Sequence, residues 1–144
     1  MNIRNLAICL IEHNEKLFVA EGYDDVKEET FYRPLGGGVE FGELAEQTAV
    51  REFKEEMDTE IEVTSYLHTI QNIFTFNGQP GHEMVMLLSA RFKDLSFYDK
   101  EVVSCIEEGT DFVAKWVNKH DFLEGNKVLY PAGLTDYLRK AQHQ

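Results

Sequence analysis

The sequence predicts one domain with an α+β or α/β sandwich fold. Segments with the pattern of β-strands outnumber those with the pattern of helices, and the two helical segments lie in the middle and at the end of the chain. The 144 residues match the usual length of one domain, and no repeat, low-complexity stretch or linker divides them. We therefore expect residues 1–144 to fold as a single domain around a mixed sheet.

The first third of the chain predicts two strands followed by a loop. Apolar runs at 6–11 and 16–20 are separated by four polar residues, which is the pattern of a two-stranded hairpin. A polar, mostly acidic connection follows at 21–30. Pro34 and the three glycines at 36–38 disfavour regular structure and allow close approach of the backbone, so we expect a loop there.

The most regular pattern in the chain predicts a helix over 44–57. Neither glycine nor proline interrupts this segment, and apolar residues recur in it at helical spacing. The predicted apolar stripe consists of Ala45, Ala49, Val50, Phe53 and Met57.

The remaining segments predict antiparallel strands and a closing helix. β-branched and aromatic residues dominate the strand segments, and the sequence NGQPG marks a turn. Arg139 and Lys140 suit the C-terminal end of a helix. The predicted elements are strands at 61–67, 69–76, 83–92 and 112–117, a short helical turn or loop at 118–122, and a helix at 134–141.

The charge balance excludes two classes of partner. With 26 acidic and 14 basic residues, the formal net charge is −12, and the basic residues form no stripe. Backbone phosphates of nucleic acids and anionic membrane surfaces both require clustered Lys and Arg. We therefore expect no direct binding to nucleic acid and none to a membrane.

The two cysteines indicate a reducing compartment. Cys9 and Cys105 lie in apolar surroundings without a CxxC partner, so buried free thiols are favoured over a disulfide. The N-terminal apolar run is far shorter than a signal peptide or a membrane span. The sequence therefore predicts a cytoplasmic protein.

The predicted helix at 44–57 carries an unusual group of charges. Glu52, Glu55 and Glu56 fall within an arc of about 100° beside the apolar stripe. Three carboxylates this close repel one another, an arrangement that favours a bound hard cation such as Mg²⁺ or Mn²⁺. Arg51, one turn before Glu55, can hold a carboxylate in place. Taken alone, however, the three glutamates are more typical of a solvated acidic helix face.

The spacing between the glycines and this helix resembles a known family pattern, the Nudix box G-x5-E-x7-R-E-U-x-E-E-x-G-U, in which U is a bulky apolar residue. The matching residues are Gly37, Glu43, Arg51, Glu52, Phe53, Glu55 and Glu56. Asp58 stands where the pattern has glycine, and Thr59 stands where it has an apolar residue. Both departures lie at the end of the helix, where Asp tolerates a left-handed backbone better than most residues.

The resemblance implies an α/β/α sandwich and a metal-dependent hydrolase. Such an enzyme cleaves a nucleoside diphosphate linked to another group, by attack of water at phosphorus with Mg²⁺ or Mn²⁺ bound. The implied metal ligands are Glu52, Glu55 and Glu56 with the Gly36 carbonyl. Glu52 is the first candidate for the general base, and Arg51 orients the carboxylates.

The resemblance also implies a carboxylate from outside the box and a nucleotide pocket. Glu107, Glu108 and Asp111 are acidic residues in a suitable place, and we select Glu108 as the additional catalytic residue. Arg33 and Glu83 are selected as substrate-binding residues. Phe31, Tyr32, Phe74 and Phe76 suit either stacking on a base or packing in the core or a dimer.

The sequence leaves the substrate and the assembly open. Nucleoside triphosphates, ADP-ribose-like compounds and dinucleoside polyphosphates all fit the pattern, and a homodimer is an alternative to a monomer. A sensor with the same fold that binds a nucleotide without turnover is the second hypothesis. A phosphate-loop protein is disfavoured, because no Lys-Ser or Lys-Thr follows the glycines and the GxGxxG spacing is absent.

Overall fold

The structure is a computed structural model that describes residues 2–142. It contains one 3₁₀ turn, Leu95–Asp99, and three α-helices, which are α1 (Ala45–Met57), α2 (Lys119–Leu123) and α3 (Leu134–Gln142). The strands are β1 (Arg4–Leu10), β2 (Glu12–His13), β3 (Lys16–Asp24), β4 (Glu29–Gly38), β5 (Ile61–Phe76), β6 (Gln79–Phe92), β7 (Val102–Glu107), β8 (Thr110–Asn118) and β9 (Val128–Leu129).

The strands form a mixed sheet in the order β5-β6-β1-β4-β3-β8-β7, with β2 beside β3 and β9 beside β4. The β1–β6 and β4–β9 pairs are parallel, and the other pairs are antiparallel. One buried cluster contains Ala49 and Phe53 of α1, and a second contains Leu134 and Leu138 of α3. The predicted α+β sandwich, with a helix layer on each face of a mixed sheet, is therefore confirmed.

The predicted loop at 31–38 is wrong, because these residues belong to strand β4. Residues 29–34 pair with β3, whereas 35–38 pair with β1, so the strand changes partner next to Pro34. Proline lacks an amide hydrogen and is tolerated where ladder pairing changes. A β-carbon at Gly36 would collide with the backbone carbonyl of Ala7, which explains why this position lacks a side chain.

The predicted hairpin between the first two apolar runs is also wrong in its pairing. Strand β1 lies between β6 and β4, and the strand that precedes β3 in its N-terminal hairpin is the short β2. The segment at 21–30 is less irregular than predicted, because β3 extends to Asp24 and β4 begins at Glu29. The Asp24 carboxylate accepts hydrogen bonds from the amides of Val26 and Lys27 at 2.9 Å, which closes the tight turn between them.

The C-terminal elements agree more closely with the sequence. The predicted strands at 61–67 and 69–76 are one continuous strand, β5, with two register irregularities near the predicted break. Strands β2, β7 and β9 and the 3₁₀ turn were not predicted. The helices at 44–57 and 134–141 and the helical turn at 118–122 are confirmed within two residues at each end.

Two further expectations concern single residues. Val50 was assigned to the apolar stripe of α1 but is exposed, whereas Thr48 and Glu56 of the same helix are buried. The predicted free thiols are confirmed, since Cys9 and Cys105 are both buried and unpaired. Within residues 2–142, no helix is long and apolar enough to cross a membrane.

Candidate active site

Helix α1 directs Glu52 and Glu56 toward strands β4 and β7. Ala49 and Phe53 are fully buried, and the Phe53 ring meets Phe92 edge-on at a centroid distance of 6.0 Å. These contacts fix the rotation of the helix against the sheet. Glu52 and Glu56, one turn apart, consequently face the sheet rather than solvent.

Arg51 joins the helix to strand β4 and to the loop before the helix. Its Nε donates to Glu43 Oε2 at 2.7 Å, its Nη1 to Glu52 Oε1 at 3.0 Å and its Nη2 to the Gly38 carbonyl at 3.1 Å. A longer bond of 3.3 Å reaches Glu55 Oε2. One planar guanidinium therefore holds three carboxylates and one backbone carbonyl, the geometry for which arginine is suited.

Glu52 lies directly against the glycine segment of β4. A β-carbon at Gly37 would collide with the Glu52 carboxylate, so any other residue would displace that side chain. The side chain of Glu52 is only 13% exposed and is held by Arg51. The position of the glutamate therefore depends on the glycine opposite it.

Glu56 is a buried carboxyl group with an unsatisfied oxygen. The residue is 4% exposed, and its Oε2 has no hydrogen-bond partner among the described residues. Burial raises the pKa of Glu56 well above its usual range, with further contributions from a hydrogen bond to Glu52 and from the charges of Glu52 and Glu107. Arg33 lowers the pKa, but its effect is the smallest. Two carboxyl groups in contact require either a shared proton or a nearby cation.

This pair of carboxyl groups fits a divalent cation. An orphaned, buried carboxylate oxygen beside a second carboxylate offers hard oxygen ligands, which Mg²⁺ and Mn²⁺ prefer. Glu55 stands apart from the pair, since its side chain is 59% exposed and bonded to Arg51. Accordingly, no three His, Cys, Asp or Glu side chains in the described part of the chain are already arranged as a metal site.

A cavity of about 780 Å³ opens between the strands and brings the other predicted residues together. Its lining includes Arg33, Glu83 and Glu108. Arg33 forms a 3.8 Å ion pair with Glu107, the residue whose charge reaches Glu56. Glu108 lies in the turn between β7 and β8 with a positive φ of 47°.

The cavity lining includes six aromatic residues, three cationic residues and four glutamates. The aromatic residues of the lining are Tyr23, Phe31, Phe74, Phe76, Phe112 and Tyr130, and the cationic ones are Arg4, Lys27 and Arg33. Such a combination suits a ligand with a flat ring and an anionic group. Tyr32, by contrast, packs in the core cluster of α3 and donates a hydrogen bond to Glu21 at 3.1 Å.

Three residues of this site were not selected from the sequence. Arg4, Asn72 and Glu107 line the cavity together with the predicted ones. Glu107 was considered with Glu108, but nothing in the sequence favoured it. No motif near Arg4 or Asn72 in the sequence marks either as a site residue. They reach the site because β1 and β5 both pair with β6, which places each beside Glu83.

The end of α1 accommodates the departure at Asp58. This residue adopts a left-handed conformation (φ 49°, ψ 47°), its amide donates to the Lys54 carbonyl at 3.0 Å, and its carboxylate accepts from Lys54 Nζ at 2.7 Å. Thr59, the second departure, is buried. The helix therefore ends as the glycine-containing pattern requires, although it lacks the glycine.

Comparisons with known proteins agree with this architecture. A family model described as NUDIX domain matches residues 1–137. No curated protein sequence matches the chain significantly. Among solved structures, the mMutator MutT protein from Bacillus halodurans superposes with a TM-score of 0.66 at 14% identity, covering 99% of this chain and 84% of that chain.

Two further structures have the same fold. A NUDIX hydrolase from Nitrosomonas europaea gives a TM-score of 0.64 at 16% identity, covering 99% of this chain and 89% of that chain. A MutT NUDIX hydrolase from Burkholderia pseudomallei gives a TM-score of 0.63 at 16% identity, covering 95% of each chain. At these identities, the structural likeness concerns the fold alone.

Proposed function

Because this chain belongs to the Nudix family, we propose that it is a hydrolase that cleaves a nucleoside diphosphate linked to another group by attack of water at phosphorus. Both nucleoside triphosphates and ADP-ribose-like compounds belong to this substrate class. The observation that carries the proposal is the buried, unsatisfied carboxyl group of Glu56 beside Glu52. The charge of Glu107, which lines the cavity together with aromatic and cationic residues, reaches this group.

For this reaction we propose bound Mg²⁺, or Mn²⁺ in its place, with Glu52, Glu55, Glu56 and the Gly36 carbonyl as ligands. When bound, the metal supplies neutralisation of the diphosphate and acidification of a water molecule. Glu55 must leave Arg51 to join the other ligands. Its exposed carboxylate is free to rotate, and the 3.3 Å bond that holds it is the longest that Arg51 makes.

The protein side chains have separate roles in this proposal. Arg51 orients Glu52, which takes the proton of the attacking water as general base, and Glu108 is the alternative base from outside the helix. Arg33, on the cavity wall, donates to a phosphate oxygen once the substrate separates it from Glu107. The substrate is thus positioned by cations on one wall and attacked near the carboxylates of α1.

Glu56→Gln tests the proposal, because it keeps the size of the side chain and removes a charged ligand. The panel consists of nucleoside triphosphates, dinucleoside polyphosphates and nucleotide sugars, assayed with Mg²⁺ and with Mn²⁺. We expect wild type to hydrolyse at least one compound and Glu56→Gln to lose at least about 100-fold in kcat, the scale of lost transition-state charge stabilisation. Glu46→Gln, an exposed position in the first turn of the same helix, is the matched control and should retain full activity.

Two results would count against hydrolysis. Equal activity of wild type and Glu56→Gln on every compound would remove Glu56 from the reaction. Nucleotide-induced thermal stabilisation of wild type without any product would favour the sensor hypothesis instead.

Location and assembly complete the proposal. Two free buried thiols support a reducing, cytoplasmic compartment. The homodimer stays a prediction, which sedimentation of the purified protein tests directly.

A further inference from the structure

One wall of the cavity contains a buried amide with an unused oxygen. Asn72 of β5 is 6% exposed, and its Oδ1 has no hydrogen-bond partner among residues 2–142. Its Nδ2 donates to Glu83 Oε1 of the neighbouring strand at 3.3 Å. Turning the amide over would set its oxygen against the carboxylate, so Glu83 fixes Asn72 with the oxygen as the free group. An unsatisfied buried acceptor is rare enough to require an explanation.

Glu83 supplies further acceptors beside this oxygen. Asn72 and Glu83 are direct cross-strand partners, and the Glu83 side chain is only 14% exposed. Its second oxygen lies 3.8 Å from Arg4 Nη1, which holds the carboxylate in place from β1. A carboxylate has about four lone-pair sites, so these contacts leave it able to accept from a ligand. Two neighbouring lining residues therefore carry hydrogen-bond acceptors, and the Asn72 oxygen among them is buried and unpaired within residues 2–142.

An aromatic surface adjoins these acceptors on the same strand. Phe74 lies two residues after Asn72, so its side chain is on the same face of β5, and its ring packs over Gly81 of β6. Phe76 continues the row and meets Phe31 edge-on at 5.7 Å. Stacking on aromatic rings is common to all nucleobases and does not distinguish them. Discrimination must therefore come from the acceptors beside the rings.

We propose that Asn72 and Glu83 are specificity-determining residues that select a nucleobase with two adjacent N–H donors, as on the N1–H and N2–H₂ edge of guanine. Adenine and cytosine present one amino donor next to a ring acceptor, and uracil presents one donor between two acceptors. Guanine alone among the common bases offers two neighbouring donors on this edge. That a nucleotide binds here rests on the proposed function. That its base is guanine rests on the side chains of the cavity wall.

The test compares GTP with ITP, which lacks only the N2 amino group, and with ATP, all with Mg²⁺. We expect wild type to favour GTP over ITP by about 10-fold to 100-fold in kcat/KM, the factor that a hydrogen bond to a charged group supplies. Asn72→Leu, of similar volume, should raise KM for GTP and leave kcat unchanged. The ratio of kcat/KM for GTP to kcat/KM for ATP should therefore fall about 10-fold. A loss of kcat alone on all three nucleotides would indicate a structural role and overturn the assignment.

Glu83→Gln gives an independent test should Asn72→Leu fail to fold. The new amide accepts from Asn72 Nδ2 with its oxygen and presents a donor beside Asn72 Oδ1, a pattern that matches adenine rather than guanine. The GTP-to-ATP ratio should fall at least 10-fold, and an unchanged ratio would contradict the proposal.

Failure of the inference and failure of the proposed function give different results. Hydrolysis of GTP and ITP at equal kcat/KM by wild type would refute the base selection and leave the hydrolase intact. Should no nucleotide be hydrolysed, calorimetric titration with GDP and IDP measures binding without turnover. Tighter binding of GDP by about 10-fold supports the selection, and equal affinities overturn it.

Discussion

Replacing Arg51 with methionine should destabilise the protein more than the loss of any exposed ion pair. The guanidinium bonds to Glu43, Glu52 and the Gly38 carbonyl within 3.1 Å, and its side chain is 23% exposed. Methionine preserves the aliphatic stem but removes the bonds that Arg51 donates, and Glu43 then keeps only those from the Glu40 amide and the Thr48 hydroxyl among the described residues. Because the network is partly solvated, we expect a loss of about 2–4 kcal/mol, below the upper range for a fully buried pair. Glu55, more than half exposed, adds less than about 1 kcal/mol.

The effect of this substitution should depend on pH in a defined direction. A hydrogen bond from Arg51 is the largest cause that lowers the pKa of Glu43 from its usual 4.5 to about 2. A carboxyl group whose pKa is depressed in the folded state stabilises the fold above its unfolded pKa, and this contribution is lost as pH falls from 4.5 toward 2. The difference between wild type and Arg51→Met should therefore be largest at pH 7 and smaller at pH 3.

Urea unfolding at these two pH values measures the difference. With a slope of about 2 kcal/mol per molar urea for a domain of this size, the midpoint should fall by about 1–2 M at pH 7. Arg91→Met is the matched control, since within residues 2–142 Arg91 pairs with Glu62 alone, on exposed strand positions, and its loss should cost less than about 1 kcal/mol. Equal losses for the two variants, or a gap between wild type and Arg51→Met that grows at pH 3, would refute the reasoning.

Three further predictions use paired substitutions. Gly37→Ala should lose activity and cost about 1–2 kcal/mol in stability, because its β-carbon displaces the Glu52 carboxylate from Arg51. Gly36→Ala should melt at a still lower temperature, since its β-carbon meets the β1 backbone, and the reverse order would contradict this reasoning. Phe53→Ala should lower the free energy of unfolding by about 3–5 kcal/mol and Val50→Ala by less than about 0.5 kcal/mol, because Phe53 is buried and Val50 is exposed. Similar losses for the two variants in denaturant unfolding would contradict the observed rotation of the helix. Asp58→Gly should be more stable than Asp58→Ala by about 1 kcal/mol, because alanine disfavours the left-handed backbone; the reverse order in thermal melts would refute that explanation.

Local periodicity was sufficient to predict α1, because the apolar residues that recur at helical spacing are the ones that pack on the sheet. The stripe formed by Ala49 and Phe53 is the stripe that packs on the sheet. The spacing of Arg51, Glu52 and Glu56 along one helix places one guanidinium and two carboxylates without knowledge of the rest of the chain. The assignment of Val50 to the stripe failed because it lies at the edge of the apolar arc, where neighbouring elements decide exposure.

Strand β4 and the Asn72 wall could not be predicted from local patterns. Pro34 and the glycines read as a loop, since their strand character depends on two partners from distant parts of the chain. Asn72 has no motif, and its importance arises only from the pairing of β5 with β6 and the burial that follows. Tertiary pairing overrides intrinsic propensity in both cases.

Because the glycines belong to strand β4, the site should be less mobile than one on a loop, while its chemistry is unchanged. A glycine loop facing Glu52 would move on its own, but Gly36, Gly37 and Gly38 pair in register with Ile8, Ala7 and Leu6 of a buried strand. The backbone that approaches the carboxylates is therefore part of the sheet. Glycine here lets the backbone come close to Glu52 and does not make the segment flexible. Because sites on regular elements hold their geometry better than sites on loops, the proposed ligands need little ordering when a cation binds, apart from the rotation of Glu55.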